Sequence, residues 1–281
     1  CAVLAVLCSV VLASAAEPRV VSLAPSLTEL VYSLGFGDAM VGRSSACDYP
    51  PEARALPEVG GFGTPNLEAL MRIQPSFVLI TDLENPVLAE RIASMHIKPL
   101  VLPCESWDQL MHAASVISEA LGDPARGEAW IADMKARRMK LEHDVDMALG
   151  DRPRPRVYVE VWSDPLTTAG KHSFLSDIID LAGGVNIGDQ LEQSYANINA
   201  EWTIAQDPDV IVLAYMTVPG MMPMAALKAR PGWNGIKAVR DDRICWEIPP
   251  ELLARPGPRI LDGARALSEC ILGVTTTNKH E

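Results

Sequence analysis

The chain has 281 residues, 48% of them hydrophobic, and a formal net charge of −12. That charge argues against nucleic acid as a partner, because phosphate binding needs clustered Lys and Arg. The length allows two modest domains, and 22 prolines spread along the chain suit short connections between helices and strands.

Cys1 to Ala15 carry no charge, are almost wholly apolar, and end in Ala13-Ser14-Ala15, the small-x-small pattern of a secretory signal peptide. Glu17, Pro18 and Arg19 cut the run short of the about 20 apolar residues that a membrane span needs. The expectation is export with cleavage of residues 1–15. The rival is a lipoprotein lipidated at Cys8, against which Leu7 is bulky and the apolar run continues. Cys47, Cys104, Cys245 and Cys270 stay in the mature chain, which allows one or two disulfides and leaves their pairing open.

From Arg19 the chain alternates strand-like and helix-like segments. Arg19 to Ala24 reads as a strand, and Ser26-Leu27-Thr28-Glu29 as a capping box opening a helix to Leu34. A short strand spans Ala39 to Gly42. Asn66 caps a helix that leads into the strand Phe77 to Ile80. Asn85-Pro86 opens a helix through Met95, Pro99 to Leu102 is a strand, and Ser106 with Gln109 starts a helix to Leu121. This βα series implies a parallel sheet covered by helices, a first lobe over 16–122.

Asp123-Pro124 then opens helical composition that continues to Gly150. At 1.5 Å per residue its length is roughly 38 Å, too long for a crossover within one lobe. Residues 123–150 are therefore read as one rigid connecting helix. The strand Arg156 to Val161 and a helix from Ser173 to Leu181 begin a second lobe over 151–273. A Met-rich loop from Met216 to Met224, a strand from Arg243 to Ile248 and a helix from Pro258 to Leu272 follow, with a frayed tail at 274–281.

One pattern occurs twice. Asn66-Leu67-Glu68 is followed by Pro75 and Phe77-Val78-Leu79-Ile80; Asn199-Ala200-Glu201 is followed, at the same offsets, by Pro208 and Val210-Ile211-Val212-Leu213. Each copy reads as an Asn cap, a Glu in the first helical turn, a proline break and a buried strand, so the two lobes are similar. Each Glu has a local reading, stabilisation of a helix N-terminus. The shared frame adds a second reading, a matched docking contact on each lobe.

The sequence shows no convincing catalytic constellation. Thr167-Thr168-Ala169-Gly170-Lys171-His172-Ser173 departs from a phosphate loop at Pro165 and His172, and reads as a loop entering a helix. There is no G-x-S-x-G turn. The five histidines are scattered, which argues against a dedicated zinc or manganese site; His172 alone lies where it could meet a ligand metal. Phe62, between Gly61 and Gly63, and Tyr195 stand in the loops before the two repeat helices. Their readings are loop anchoring or a two-sided clamp on a flat ligand, with Trp162 a further candidate.

On these segments the chain resembles the helical-backbone class of bacterial periplasmic substrate-binding proteins, in particular its cobalamin-binding members. The matching stretches are 20–30, 48–53, 66–75, 168–171, 183–187 and 255–260. The resemblance implies an α/β fold of two Rossmann-like lobes with parallel sheets, joined by one long helix, with the ligand in the cleft between them. It implies a monomeric, non-enzymatic carrier with no cofactor of its own, which delivers cobalamin or a related corrinoid to the permease dimer of an ABC importer. It assigns Glu68 and Glu201 to docking on that permease, and Phe62, Tyr195, Glu251 and Arg255 to the ligand. Ala46, Thr167, Leu252 and Leu253 replace expected cleft aromatics, and Ala182 and Ser268 fill the places of a family disulfide. These departures keep haem and ferric siderophores open as cargo, and an exported enzyme on the same two-lobed α/β scaffold is the alternative of a different class.

Overall fold

A computed structural model describes residues 17–83, 86–215 and 223–273. The expected leader and tail, Asn85, and residues 216–222 of the Met-rich loop lie outside the described residues.

The first lobe contains β1 (Val20–Ser22), α1 (Pro25–Ser33), β2 (Met40–Arg43), the hairpin β3 (Gly60–Gly61) and β4 (Thr64–Pro65), α2 (Leu67–Ile73), β5 (Phe77–Ile80), α3 (Pro86–Ser94), β6 (Lys98–Val101) and α4 (Trp107–Ala120). Its sheet runs β2-β1-β5-β6, all parallel. The near-continuous apolar runs of β1 and β5 are buried, as required of strands with helices on both faces.

α5 (Pro124–Leu149) connects the lobes as one helix of 26 residues, N-capped by Asp123. The second lobe contains β7 (Arg156–Ser163), β8 (Leu166–Ala169), α6 (Phe174–Leu181), β9 (Val185–Asn186), β10 (Tyr195–Asn197), α7 (Ala200–Gln206), β11 (Val210–Leu213), α8 (Pro223–Ala229), α9 (Lys237–Arg240), β12 (Ile244–Cys245), α10 (Pro250–Ala254) and α11 (Ile260–Leu272). Its sheet runs β10-β8-β7-β11-β12, with β9 also on β7. β7, β9, β11 and β12 are parallel, whereas β8 and β10 extend the sheet antiparallel.

The repeat is visible in every boundary. α2 and α7, their C-caps Gln74 and Asp207 in left-handed conformation, and β5 and β11 are all offset by 133 positions. Asn66 accepts backbone N–H bonds from Glu68 and Ala69, and Asn199 from Trp202.

Three expectations are corrected. Pro25 takes the first helical position of α1, so Ala24 is the N-cap and Ser26 caps nothing; Glu29 turns to an ion pair instead. The strand expected over Arg243–Ile248 shortens to Ile244–Cys245, because only those residues pair with β11. Thr167, Thr168 and Ala169 form strand β8 rather than a loop, and Tyr195 lies on edge strand β10 beside them.

Cys245 and Cys270 form a disulfide that ties β12 to α11, while Cys47 and Cys104 are buried free thiols. Glu160, fully buried on β7, pairs with Arg230 through two bonds of 2.6 and 2.8 Å and accepts from Tyr158 and Tyr215. These bonds compensate the cost of burying its charge.

α5 buries Gly127, Met134, Leu141 and Val145, a narrow stripe that joins a core running through both lobes. At Gly127 it crosses α4 so closely that a Cβ would lie 2.7 Å from the Ser118 hydroxyl and 3.2 Å from the Ala114 carbonyl oxygen. Gly127→Leu is therefore expected to destabilise the protein by about 3 kcal/mol through overpacking, measured by urea unfolding. An unchanged midpoint would show that this crossing is not tight.

Candidate functional site

The four strands of the first sheet are parallel, so the loops leaving their carboxyl ends gather on one edge. That edge is where open α/β sheets bind ligands. Ala24, Pro25 and Ser26 follow β1, Ser45, Ala46 and Asp48 follow β2, Thr81, Asp82 and Leu83 follow β5, and Cys104 and Glu105 follow β6. Together with Phe62 and, from the second lobe, Ala254, Arg255 and Pro256, they line an open cavity of about 610 Å³.

Phe62 is placed by the β3–β4 hairpin. Gly60 has φ of 108°, and a Cβ there would lie 2.7 Å from the Asn66 nitrogen and the Thr64 oxygen, so only glycine makes the turn. The ring is 43% exposed and stands on the cavity wall. Tyr195 lies outside the cavity lining, 44% exposed on β10. Partial burial, and then the charge of Glu105 on the cavity wall, push its phenol up to about 12.

The remaining candidates are dispersed. Trp162, at the end of β7, is 58% exposed and donates its indole N–H to the Asp164 carbonyl. His172 is exposed in the turn before α6, where its backbone carbonyl accepts from Ser194. Glu251, in the first turn of α10, contributes to the field around Arg259. None of the three is among the residues lining the cavity. Glu68 and Glu201 are exposed in the first turns of α2 and α7, and neither forms an ion pair among the described residues.

Arg255 is on the cavity wall, but its guanidinium is committed. It donates to Asp48 at 2.6 Å and lies 3.7 Å from Glu29. Glu29, 4% exposed on α1, accepts two bonds from Arg259 at 2.7 and 2.8 Å, and Arg259 stacks over Tyr49 at 4.0 Å. These five residues form a clasp between the lobes, Glu29, Asp48 and Tyr49 from the first and Arg255 and Arg259 from the second. Sequence reading missed Glu29 and Arg259 because 230 positions separate them. It also missed Asp82 and Glu105, which the strand-end rule finds once the sheet order is known.

Titration follows the same geometry. The hydrogen bond from Arg255, working against burial, holds the Asp48 carboxyl below its ordinary value. Burial, and then Asp82, hold Glu105 above its own. Burial pushes the Cys104 thiol up to about 12, so it is neutral and unreactive at physiological pH. Among the described residues no group of three or more His, Cys, Asp or Glu side chains could hold a metal. No helix among them is long and apolar enough to cross a membrane.

Two outcomes test the clasp. Glu29→Gln leaves two arginines facing a neutral amide; allowing for their partial exposure, it is expected to cost about 2 kcal/mol in urea unfolding. Asp48, with its folded value depressed, stabilises the native state above the ordinary aspartate pKa of about 4, and this is lost as pH falls through the lowered value. Asp48→Asn is therefore expected to be less stable than the native chain at pH 7, with the gap closing as pH falls from the ordinary aspartate range through the lowered value. A gap that persists below that value would place its origin outside the ion pair.

A family model described as periplasmic binding protein matches residues 20–249. Across 261 residues the chain is 28% identical to the uncharacterised ABC transporter substrate-binding lipoprotein YvrC of Bacillus subtilis, covering 91% of this chain and 80% of that one. Across 247 residues it is 26% identical to the vitamin B12-binding protein of Vibrio cholerae, covering 87% and 85%. A periplasmic haem-binding protein of Pseudomonas aeruginosa superposes with a TM-score of 0.81 at 26% identity, covering 91% and 92%. With its two α/β lobes, connecting helix and strand-end cavity, the chain belongs to the periplasmic binding protein family.

Proposed function

We propose that this protein captures cobalamin or a related corrinoid and delivers it to an ABC importer. The observation that carries the reading is the cavity at the strand ends, walled by the exposed ring of Phe62 and closed from the second lobe by Ala254, Arg255 and Pro256. An exposed aromatic face beside a broad open cavity suits a flat macrocycle. The similarity to a vitamin B12-binding protein over most of both chains supports the corrinoid. The likeness to a haem-binding structure supports haem as the second reading. Tyr195, near Glu105, is assigned to the opposite side of the cargo, with Trp162 and Glu251 at its margin, His172 held in reserve as a ligand to its metal, and Arg255 at its polar edge. The protein acts as an exported monomer, freed from its leader rather than held by a lipid at Cys8.

Delivery is assigned to Glu68 and Glu201. They occupy equivalent helix starts on the two lobes, are exposed, and carry the charge that basic permease loops would meet. The net charge of −12 supports the same encounter by long-range steering.

Tryptophan fluorescence titration with cyanocobalamin, cobinamide, haemin and a ferric siderophore tests the cargo. Corrinoid binding is expected, weakened about fivefold in Phe62→Ala by loss of an aromatic contact. Haemin or siderophore binding without corrinoid binding contradicts the reading, and binding of none of them returns the question of function to the start. For docking, Glu68→Lys/Glu201→Lys is expected to keep its ligand affinity and lose importer-dependent uptake more than about tenfold. Unchanged uptake removes the docking role.

A further inference from the structure

We infer that Asp82 and Glu105 act as a charge filter on the cleft, accepting a macrocycle whose rim carries amides or cationic groups and rejecting one whose rim carries free carboxylates. This rests on the proposed macrocycle-binding function and adds to it the feature that would select among macrocycles.

The charge inventory of the cavity carries the inference. Its charged lining residues are Asp48, Asp82, Glu105 and Arg255. Arg255 is the cation among them, and Asp48 holds it at 2.6 Å with Glu29 at 3.7 Å behind. Asp82 and Glu105 form no ion pair among the described residues, so the cleft carries two uncompensated negative charges. They leave the carboxyl ends of the adjacent strands β5 and β6, which fixes both on one wall. Their mutual influence is visible in Glu105, whose carboxyl is held above its ordinary value by burial and by the charge of Asp82.

A cargo carboxylate has no good seat here. Against Asp82 and Glu105 it meets like charge in a partly desolvated site, a juxtaposition that interfaces use to exclude wrong partners. To reach Arg255 it must displace Asp48, which then becomes a third unpaired acid. A primary amide fits the same wall, because its N–H groups can donate charge-assisted hydrogen bonds to both carboxylates. Corrinoids with amidated rims satisfy this wall, and haem with its two free propionates does not.

The test uses two pairs of macrocycles that share a ring and differ in rim charge: dicyanocobinamide against dicyanocobyrinic acid, and haemin dimethyl ester against haemin. Affinities are read by tryptophan quenching at pH 7.5 for the native protein and for Asp82→Asn/Glu105→Gln. The native protein is expected to bind the uncharged-rim member about thirtyfold more tightly, and the variant to lose most of that ratio by gaining affinity for the carboxylate member. Thermal melts check that the variant folds, and Glu105→Gln alone serves if the pair does not.

Equal affinities within both pairs, or a ratio unchanged by the substitutions, overturn the inference. Discrimination within the haem pair with neither corrinoid bound sustains the filter while refuting the corrinoid cargo. Failure of all four compounds to bind overturns the filter and the proposed function together.

Discussion

The arrangement of this molecule depends on one constraint, the seating of α5 in both lobes. Its 26 residues bury only a narrow stripe, yet that stripe is continuous with a core containing residues of both sheets. A helix packed in this way sets the distance between the lobes and opposes large hinge motion. The clasp of Glu29, Asp48, Tyr49, Arg255 and Arg259 adds direct contacts between the lobes beside the cleft. Burying the Glu29 carboxylate is costly on its own; two bonds from Arg259 compensate for it, so the charge specifies how the lobes meet.

In the proposed reading, the cleft places residues of structure and of recognition side by side. Arg255 sits where a ligand would touch it, but its geometry belongs to Asp48 and the clasp. The free electrostatic character of the cavity passes to Asp82 and Glu105. Parallel strand ends thus supply position, the hairpin of Phe62 supplies an aromatic wall, and two carboxylates without an ion pair among the described residues supply the negative charge on which the proposed rim preference rests. The repeated α2 and α7 starts carry their glutamates away from this chemistry, on exposed turns.

Local features are legible in the sequence wherever a residue acts on its near neighbours. The Asn66 and Asn199 caps bond N–H groups two or three positions on, so both show as short patterns of adjacent residue types. Asp123-Pro124 announces α5 for the same reason. The capping box at Ser26 misleads, because proline at the first helical position moves the helix start to Pro25 and releases Glu29 for a distant partner. The β8–β10 pairing that carries Tyr195 joins segments about thirty residues apart, and nothing in either one's periodicity reveals the other. Asp82 and Glu105 look like loop acids until the strand order places their loops side by side.

The most direct test of the central claim is anomalous diffraction at the cobalt edge from crystals grown with cyanocobalamin. The expected result is a single cobalt peak in the cleft, with Phe62 on one side of the corrin and Tyr195 on the other. A cleft without cobalt under conditions where the protein binds haemin, or cobalt bound elsewhere on the molecule, would contradict it.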